Sequence, residues 1–210
     1  MPRDDLRQIA GYRPVNGQET ADRHTMLRCC ELFGDTVLSR ANSVAHITSS
    51  GFLMNPSLTG ALLVHHNIMD RWAWTGGHVD GETDLLGVAV REAREETGAK
   101  AIQPLSRSIA AVDILPVPSH TRRGEYVGAH LHLSVAFVLI CAQDQPLRSK
   151  PDENSGVRWF SVDEIAVPRF SPQDACLYGK LIRFARAQAA RPRHTASQIR
   201  RALSIDTFDA

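Results

Sequence analysis

Neither sign of charge is in excess in this chain. Lys and Arg number 24 and Asp and Glu 23, a formal net charge of +1 over 210 residues. No global field therefore draws it to nucleic acid or anionic lipid, and neither partner is expected. Long hydrophobic runs are missing as well: the longest, Val135 to Ala142, has eight residues, against about 20 for a membrane span. Cysteine is sparse. Cys29, Cys30, Cys141 and Cys176 show no CxxC spacing, which excludes a disulfide scaffold and a cysteine-based zinc site. Reduced thiols in a cytoplasmic protein are the expectation. The charged opening Met1 to Asp5 leads into no apolar stretch, so no secretory signal is expected.

What is present, 43% hydrophobic residues in 210, suffices to bury one domain with appendages. Residues 1–42 read as an accessory helical segment. Glu19 to Leu38 sets Met26, Leu27, Cys30, Leu32, Phe33 and Val37 at approximate helical spacing, after punctuation by Gly11, Pro14 and Gly17. From Ser43 the texture becomes strand-like, with runs at Val44–Met54, Ala61–Val64 and Arg71–Trp74. A helix is predicted between Asp84 and Gly98, two strands around Ser108–Leu115 and Leu131–Ala142, and a loop between them. A short strand at Val157–Phe160 and a closing helix at Asp174–Ala190 follow. The main domain is thus placed at 43–190 and a basic, loose tail at 191–210. Strands, then helix, then strands imply a mixed α/β domain.

The chemistry concentrates in Gly76 to Gly98, a glycine-rich turn opening a helix that carries carboxylates. Glu92, Glu95 and Glu96 are spaced i, i+3 and i+4 and project from one helical face, expected to be exposed. Like charges so placed repel, and a hard cation such as Mg²⁺ or Mn²⁺ reverses the sign of that interaction. A solvated acidic face is the plainer alternative for these three residues taken alone.

The whole segment resembles the Nudix hydrolase signature, G-x5-E-x7-R-E-U-x-E-E-x-G-U with U a bulky apolar residue. Gly77, Arg91-Glu92, Glu95-Glu96 and Gly98 fall at the required distances. The resemblance implies an α/β/α sandwich around a mixed β-sheet, here with an extra N-terminal helical segment. It implies hydrolysis of a P–O–P linkage in a nucleoside diphosphate-linked compound, with Mg²⁺ or Mn²⁺ as cofactor. Glu95 and Glu96 would bind the metal, Glu92 would add a ligand or act as general base, and Arg91 would orient these carboxylates. Family members often recruit another loop carboxylate, and Glu153, beside Asp152, is placed for that. Homodimers are common among relatives.

The chain departs from the signature at its first Glu, which falls on Thr83, while Ala93 and Ala99 are smaller than usual. In the family that Glu mainly pairs with the signature arginine. Glu82 and Asp84 flank the gap, and Glu82 is preferred as substitute because Gly81 can bring it round. Thr83 and the basic tail keep open a different class of function, a nucleotide-sensing module without turnover. Diphosphate isomerisation on the same scaffold is the enzymatic alternative.

Other features are weaker. His130 and His132 share one strand face and with His78 could line a substrate cleft beside Gly77; as zinc ligands they lack a third partner. Arg122 and Arg123 could hold a substrate phosphate, or be solvated loop arginines. Trp72 and Trp74 are expected to pack at the core or its rim rather than stack on a base.

Overall fold

A computed structural model describes residues 4–122, 124–165 and 172–190. The expected basic tail lies outside them, as does Arg123. The helices are α1 (Asp4–Gly11), α2 (Gly17–Phe33), α3 (Leu85–Thr97), α4 (Val162–Ile165) and α5 (Pro172–Ala189). The strands are β1 (Ala45–Met54), β2 (Gly60–His66), β3 (Arg71–Ala73), β4 (Thr75–His78) and β5 (Ile102–Pro104). They continue with β6 (Ala111–Val117), β7 (His120–Arg122), β8 (Glu125–Val127), β9 (His130–Cys141) and β10 (Asn154–Ser161).

One eight-stranded sheet runs β10-β2-β1-β9-β5, with β3 on β2, β4 on β1 and β6 on β9. Its axis is the parallel pair β1 and β9, in unbroken register from Ala45 opposite Leu131 to Met54 opposite Ile140. The neighbours β2, β4, β5 and β6 all run antiparallel to this pair, so the sheet is mixed. Strand alternation sends odd and even positions to opposite faces. Ile47, Leu53, Leu133, Val135 and Phe137 meet α3, α2 and α1 in one core. Phe52, Met54, Ala136 and Val138 meet α4 and α5 in the other. The fold is an α/β/α sandwich around a mixed sheet, with an N-terminal helical segment.

That N-terminal segment docks by burial and by charge. Ile9, Met26 and Cys30 enter the α3-side core. The Lys180 ammonium on α5, 2% exposed, sits 3.1 Å from Glu19 and 2.6 Å from Asp113 of β6. Three elements distant in sequence are thus tied by one buried cation whose partners offset its desolvation. Glu19 also accepts from the Tyr12 hydroxyl at 2.7 Å and the Val15 amide at 2.9 Å.

Several boundaries differ from the sequence expectation. The α2 helix stops at Phe33, where Gly34 takes a φ of 55° and its amide reaches back to the Cys30 carbonyl. A 3-10 turn at Gly34–Leu38 replaces the expected last helical turn, and Leu32 is left 70% exposed. Helices α1 and α4 and strand β5 were not anticipated, the expected glycine-rich turn at Gly76–Gly77 is instead strand β4 paired with β1, and the expected loop between β6 and β9 contains the hairpin β7–β8. Trp72 and Trp74 pack as expected, edge-on to Phe160 and Tyr178.

Candidate active site

Helix α3 presents the acids because its ends are firmly set and its other face is apolar. Asp84 accepts from the Gly87 amide at 3.0 Å, an N-cap. Gly98 ends the helix in the left-handed conformation, φ 69°, with its amide bonded to the Arg94 carbonyl. Leu85, Val88, Ala89 and Ala93 are fully buried against the sheet, which fixes the rotation of the helix and turns Glu92 and Glu96 toward β4.

Contact with β4 is close. The Gly76 amide donates to Glu96 Oε1 at 2.7 Å. A Cβ at Gly77 would lie 2.6 Å from the Glu92 carboxyl carbon, so the missing side chain is what admits Glu92. Glu96 is not the exposed acid expected from its place on the polar face: it is 3% exposed. The strand edge closes over it, a contact helical periodicity cannot register. Burial pushes its pKa up to about 8, partly opposed by the Gly76 hydrogen bond, with the charges of Glu153 and Glu92 pushing the same way as burial. Burial raises the Glu92 carboxyl too, reinforced by Glu95 and Glu153.

The loop before β10 brings in Glu153, whose charge acts on both Glu92 and Glu96. Its neighbour Lys150 was passed over in the sequence. Its ammonium lies 3.2 Å from Glu95 and 3.0 Å from Glu153, bridging the helix and the loop. The signal was faint: a lysine three residues before an acid.

Arg91 lies 2.6 Å from Glu82, 3.3 Å from Glu92 and 3.9 Å from Glu95. Glu82 therefore makes the ion pair that Thr83 cannot, while Asp84 serves as the helix cap. Gly81, with φ 96°, permits the turn that brings Glu82 round. The loop is held from outside as well. Arg40 grips the Asp80 carboxylate, and the Gly81 amide donates to the Leu38 carbonyl at 2.9 Å.

On the opposite sheet face the structure gathers His78, His130 and His132 and adds His46, which the sequence reading did not single out. The His46 ring lies 4.9 Å from those of His78 and His130 and 5.1 Å from that of His132. Only the β1–β9 register, which sets His46 opposite His132, could have revealed it. Burial lowers the His46 pKa, and burial with the neighbouring histidines takes His132 down to about 3. Both rings are neutral at physiological pH. Arg122 ends β7, but its side chain lies outside the described residues, so the expected phosphate-binding arginine pair is not described.

The chain matches the family model of the NUDIX domain over residues 45–181. No curated protein sequence matches it. Among solved structures it is similar to an Ap4A hydrolase from C. elegans in a binary complex, at 14% identity, over 69% of this chain and 97% of that one, TM-score 0.45. It is similar to a NUDIX-family hydrolase from Clostridium perfringens at 15% identity, over 68% and 97%, TM-score 0.46. A MutT NUDIX hydrolase from Burkholderia pseudomallei aligns at 20% identity, over 64% and 96%, TM-score 0.39.

Proposed function

The chain belongs to the NUDIX family, and we propose that it is a Nudix-type pyrophosphohydrolase that cleaves a P–O–P linkage in a nucleoside diphosphate-linked compound with Mg²⁺ or Mn²⁺ held by Glu92, Glu95, Glu96 and Glu153. The observation that carries this reading is the pairing of Glu92 and Glu96 against β4, where burial disfavours the charge of both, with Glu95 and Glu153 joined beside them through Lys150. Such a donor set, all oxygen and anionic, suits a hard divalent ion. When bound, the ion supplies positive charge for the phosphate oxygens and makes water easier to deprotonate.

The chain's own residues divide the remaining work. Glu92, mostly shielded and with its proton affinity raised by burial, takes the proton of the attacking water. Arg91, 3.3 Å from Glu92 Oε1, holds that carboxylate in place and is itself held by Glu82. The Gly76 amide fixes Glu96. As the water oxygen bonds to phosphorus, the bridging P–O bond breaks and its electron pair leaves with the departing phosphate. All four cysteines are free, which supports a reducing, cytoplasmic setting. No helix among the described residues is long and apolar enough to cross a membrane.

The test is phosphate release from a panel of nucleoside triphosphates, sugar nucleotides and coenzymes, with phosphatase added, in the presence and absence of Mg²⁺. Mg²⁺-dependent release from at least one diphosphate-linked compound is expected. Tight nucleotide binding without turnover across the panel would favour the sensing reading instead.

A further inference from the structure

The histidines of β1 and β9 turn ring nitrogens toward one another, and the hydrogen bonds that orient them leave one of those nitrogens without a partner among the described residues. His46 Nδ1 lies 2.9 Å from the Asn42 carbonyl oxygen, and His130 Nδ1 lies 2.8 Å from the Gly128 carbonyl oxygen. A carbonyl oxygen can only accept, so both Nδ1 atoms carry a proton, which leaves each Nε2 as the nitrogen available to a metal ion. His46 is 3% exposed, and its Nε2 is buried with no hydrogen-bond partner among the described residues. Leaving such an acceptor bare is unfavourable. The His130 Nε2 faces His132 Nε2 at 3.3 Å. One ring nitrogen from each of His46, His130 and His132 lies within 4.8 Å of the other two.

We propose that His46, His130 and His132 form a second metal site, for a borderline transition ion of the Zn²⁺ type, separate from the carboxylate site on α3. Imidazole nitrogens suit Zn²⁺ and its neighbours and suit Mg²⁺ poorly. Two nitrogens bound at about 2.05 Å in tetrahedral geometry are about 3.3 Å apart, the separation already present between His130 and His132. Ligating histidines commonly donate their second ring N–H to a carbonyl, which fixes ring and tautomer. His46 and His130 both do so. Three imidazoles leave a fourth position open, as in zinc sites that bind water or a small anion. His78, whose ring lies 4.9 Å from that of His46 and 5.1 Å from that of His132, borders the set.

The site's place in the sheet keeps it apart from the acids. His46, His130 and His132 occupy even positions on strands whose even positions Phe52, Met54, Ala136 and Val138 pack toward α5, whereas α3 lies on the other face. The proposal goes beyond the hydrolase reading and does not depend on it.

The experiment uses the full-length chain without an affinity tag, stripped with chelator and dialysed against micromolar Zn²⁺ in millimolar Mg²⁺, then assayed for bound metal by mass spectrometry. About one zinc per chain is expected. Glu95→Gln should retain it, while His46→Ala and His130→Gln should lose it. Co²⁺ loaded in place of Zn²⁺ should give visible absorption bands of a nitrogen-rich, four-coordinate ion, and these should vanish in His130→Gln. If His46→Ala fails to fold, His130→Gln decides, because that side chain is part-exposed. Wild-type protein without stoichiometric zinc would overturn the proposal, as would a folded His130→Gln variant binding zinc as tightly as wild type. Loss of zinc in Glu95→Gln, with retention in His130→Gln, would overturn it by assigning the ion to the carboxylates.

Discussion

The acids of α3 and the histidines of β1 and β9 lie on opposite faces of one sheet and solve the problem of buried polar atoms differently. Around Glu92, Glu95, Glu96 and Glu153 the chain supplies partial compensation of its own: an amide for Glu96, Arg91 for Glu92, Lys150 for Glu95 and Glu153. Around His46 Nε2 the described residues supply none. Anionic oxygens repel one another and must be partly neutralised for the apo fold to persist. Neutral imidazoles carry no such repulsion and can stand close together unpaired at lower free energy. The acidic site is therefore built around exchangeable counter-charges, and the histidine site around fixed tautomers.

The sharpest way to break this contrast is to remove one acid. Glu95→Gln and Glu96→Gln should each lower turnover by about a hundredfold or more, since one anionic ligand of a hard ion is lost. Glu96→Gln should leave the fold intact despite burial, because the amide oxygen can still accept from Gly76. Steady-state kinetics over a Mg²⁺ series, with circular dichroism as the folding check, gives the answer. Activity within a few-fold of wild type at low Mg²⁺ would remove Glu96 from the site.

A pH series separates the two regions next. The Glu96 pKa is raised by burial to about 8 in the ion-free fold, from an ordinary value near 4.5. Between those values the folded state holds a proton that the unfolded chain has lost, so this group's contribution to stability falls as pH rises. A divalent ion binds the deprotonated form, so the Mg²⁺-induced rise in Tm should grow from pH 6 to pH 8. In Glu96→Gln that growth should be strongly reduced. An equal Mg²⁺ shift at both pH values in wild type would contradict the burial argument.

The same contrast explains what could be read from the sequence. Caps, apolar face and acids of α3 all lie within Asp84–Gly98, so local periodicity and spacing contained them. Glu153 was accessible as an acid beside the last strand. The burial of Glu96 was not, because it depends on β4 crossing the helix. His46 needed a parallel register that pairs residues 86 positions apart in the chain, and no local pattern encodes that. Helix α1 has two acids in its first turn and a single fully buried apolar residue, Ile9. It is specified by docking rather than by its own pattern. Strand β5 has three residues, too few for alternation to show.

Glu82 offers a smaller test. Removing its carboxylate frees Arg91 from a 2.6 Å ion pair, and Glu82→Ala should lower kcat about tenfold by loosening the arginine that holds Glu92. Asp84→Ala should instead lower stability by about 1 kcal/mol, the usual effect of losing an N-cap, with kcat little changed. Thr83→Glu should bring no gain, since the arginine already has its partner. A strong gain in Thr83→Glu together with a silent Glu82→Ala would show that the pair does not support catalysis.

The smallest expected effect belongs to Lys150. Its ammonium bridges Glu95 and Glu153, so a divalent ion entering among these acids must compete with a cation already there. The pair with Glu95 is about half exposed on the acid side, where solvent screening keeps such contacts to about 1 kcal/mol or less. Lys150→Met should therefore lower the Mg²⁺ concentration for half-maximal activity by only a few-fold. If Lys150 served chiefly to hold substrate phosphate, the same substitution would raise KM for the nucleotide and leave the Mg²⁺ requirement unchanged. The histidine site supplies the control: zinc content in Lys150→Met should equal that of wild type, because Lys150 makes its ion pairs with Glu95 and Glu153 and with none of the histidines. A matched change in zinc affinity would mean that the two faces communicate, and the separation drawn between them would have to be abandoned.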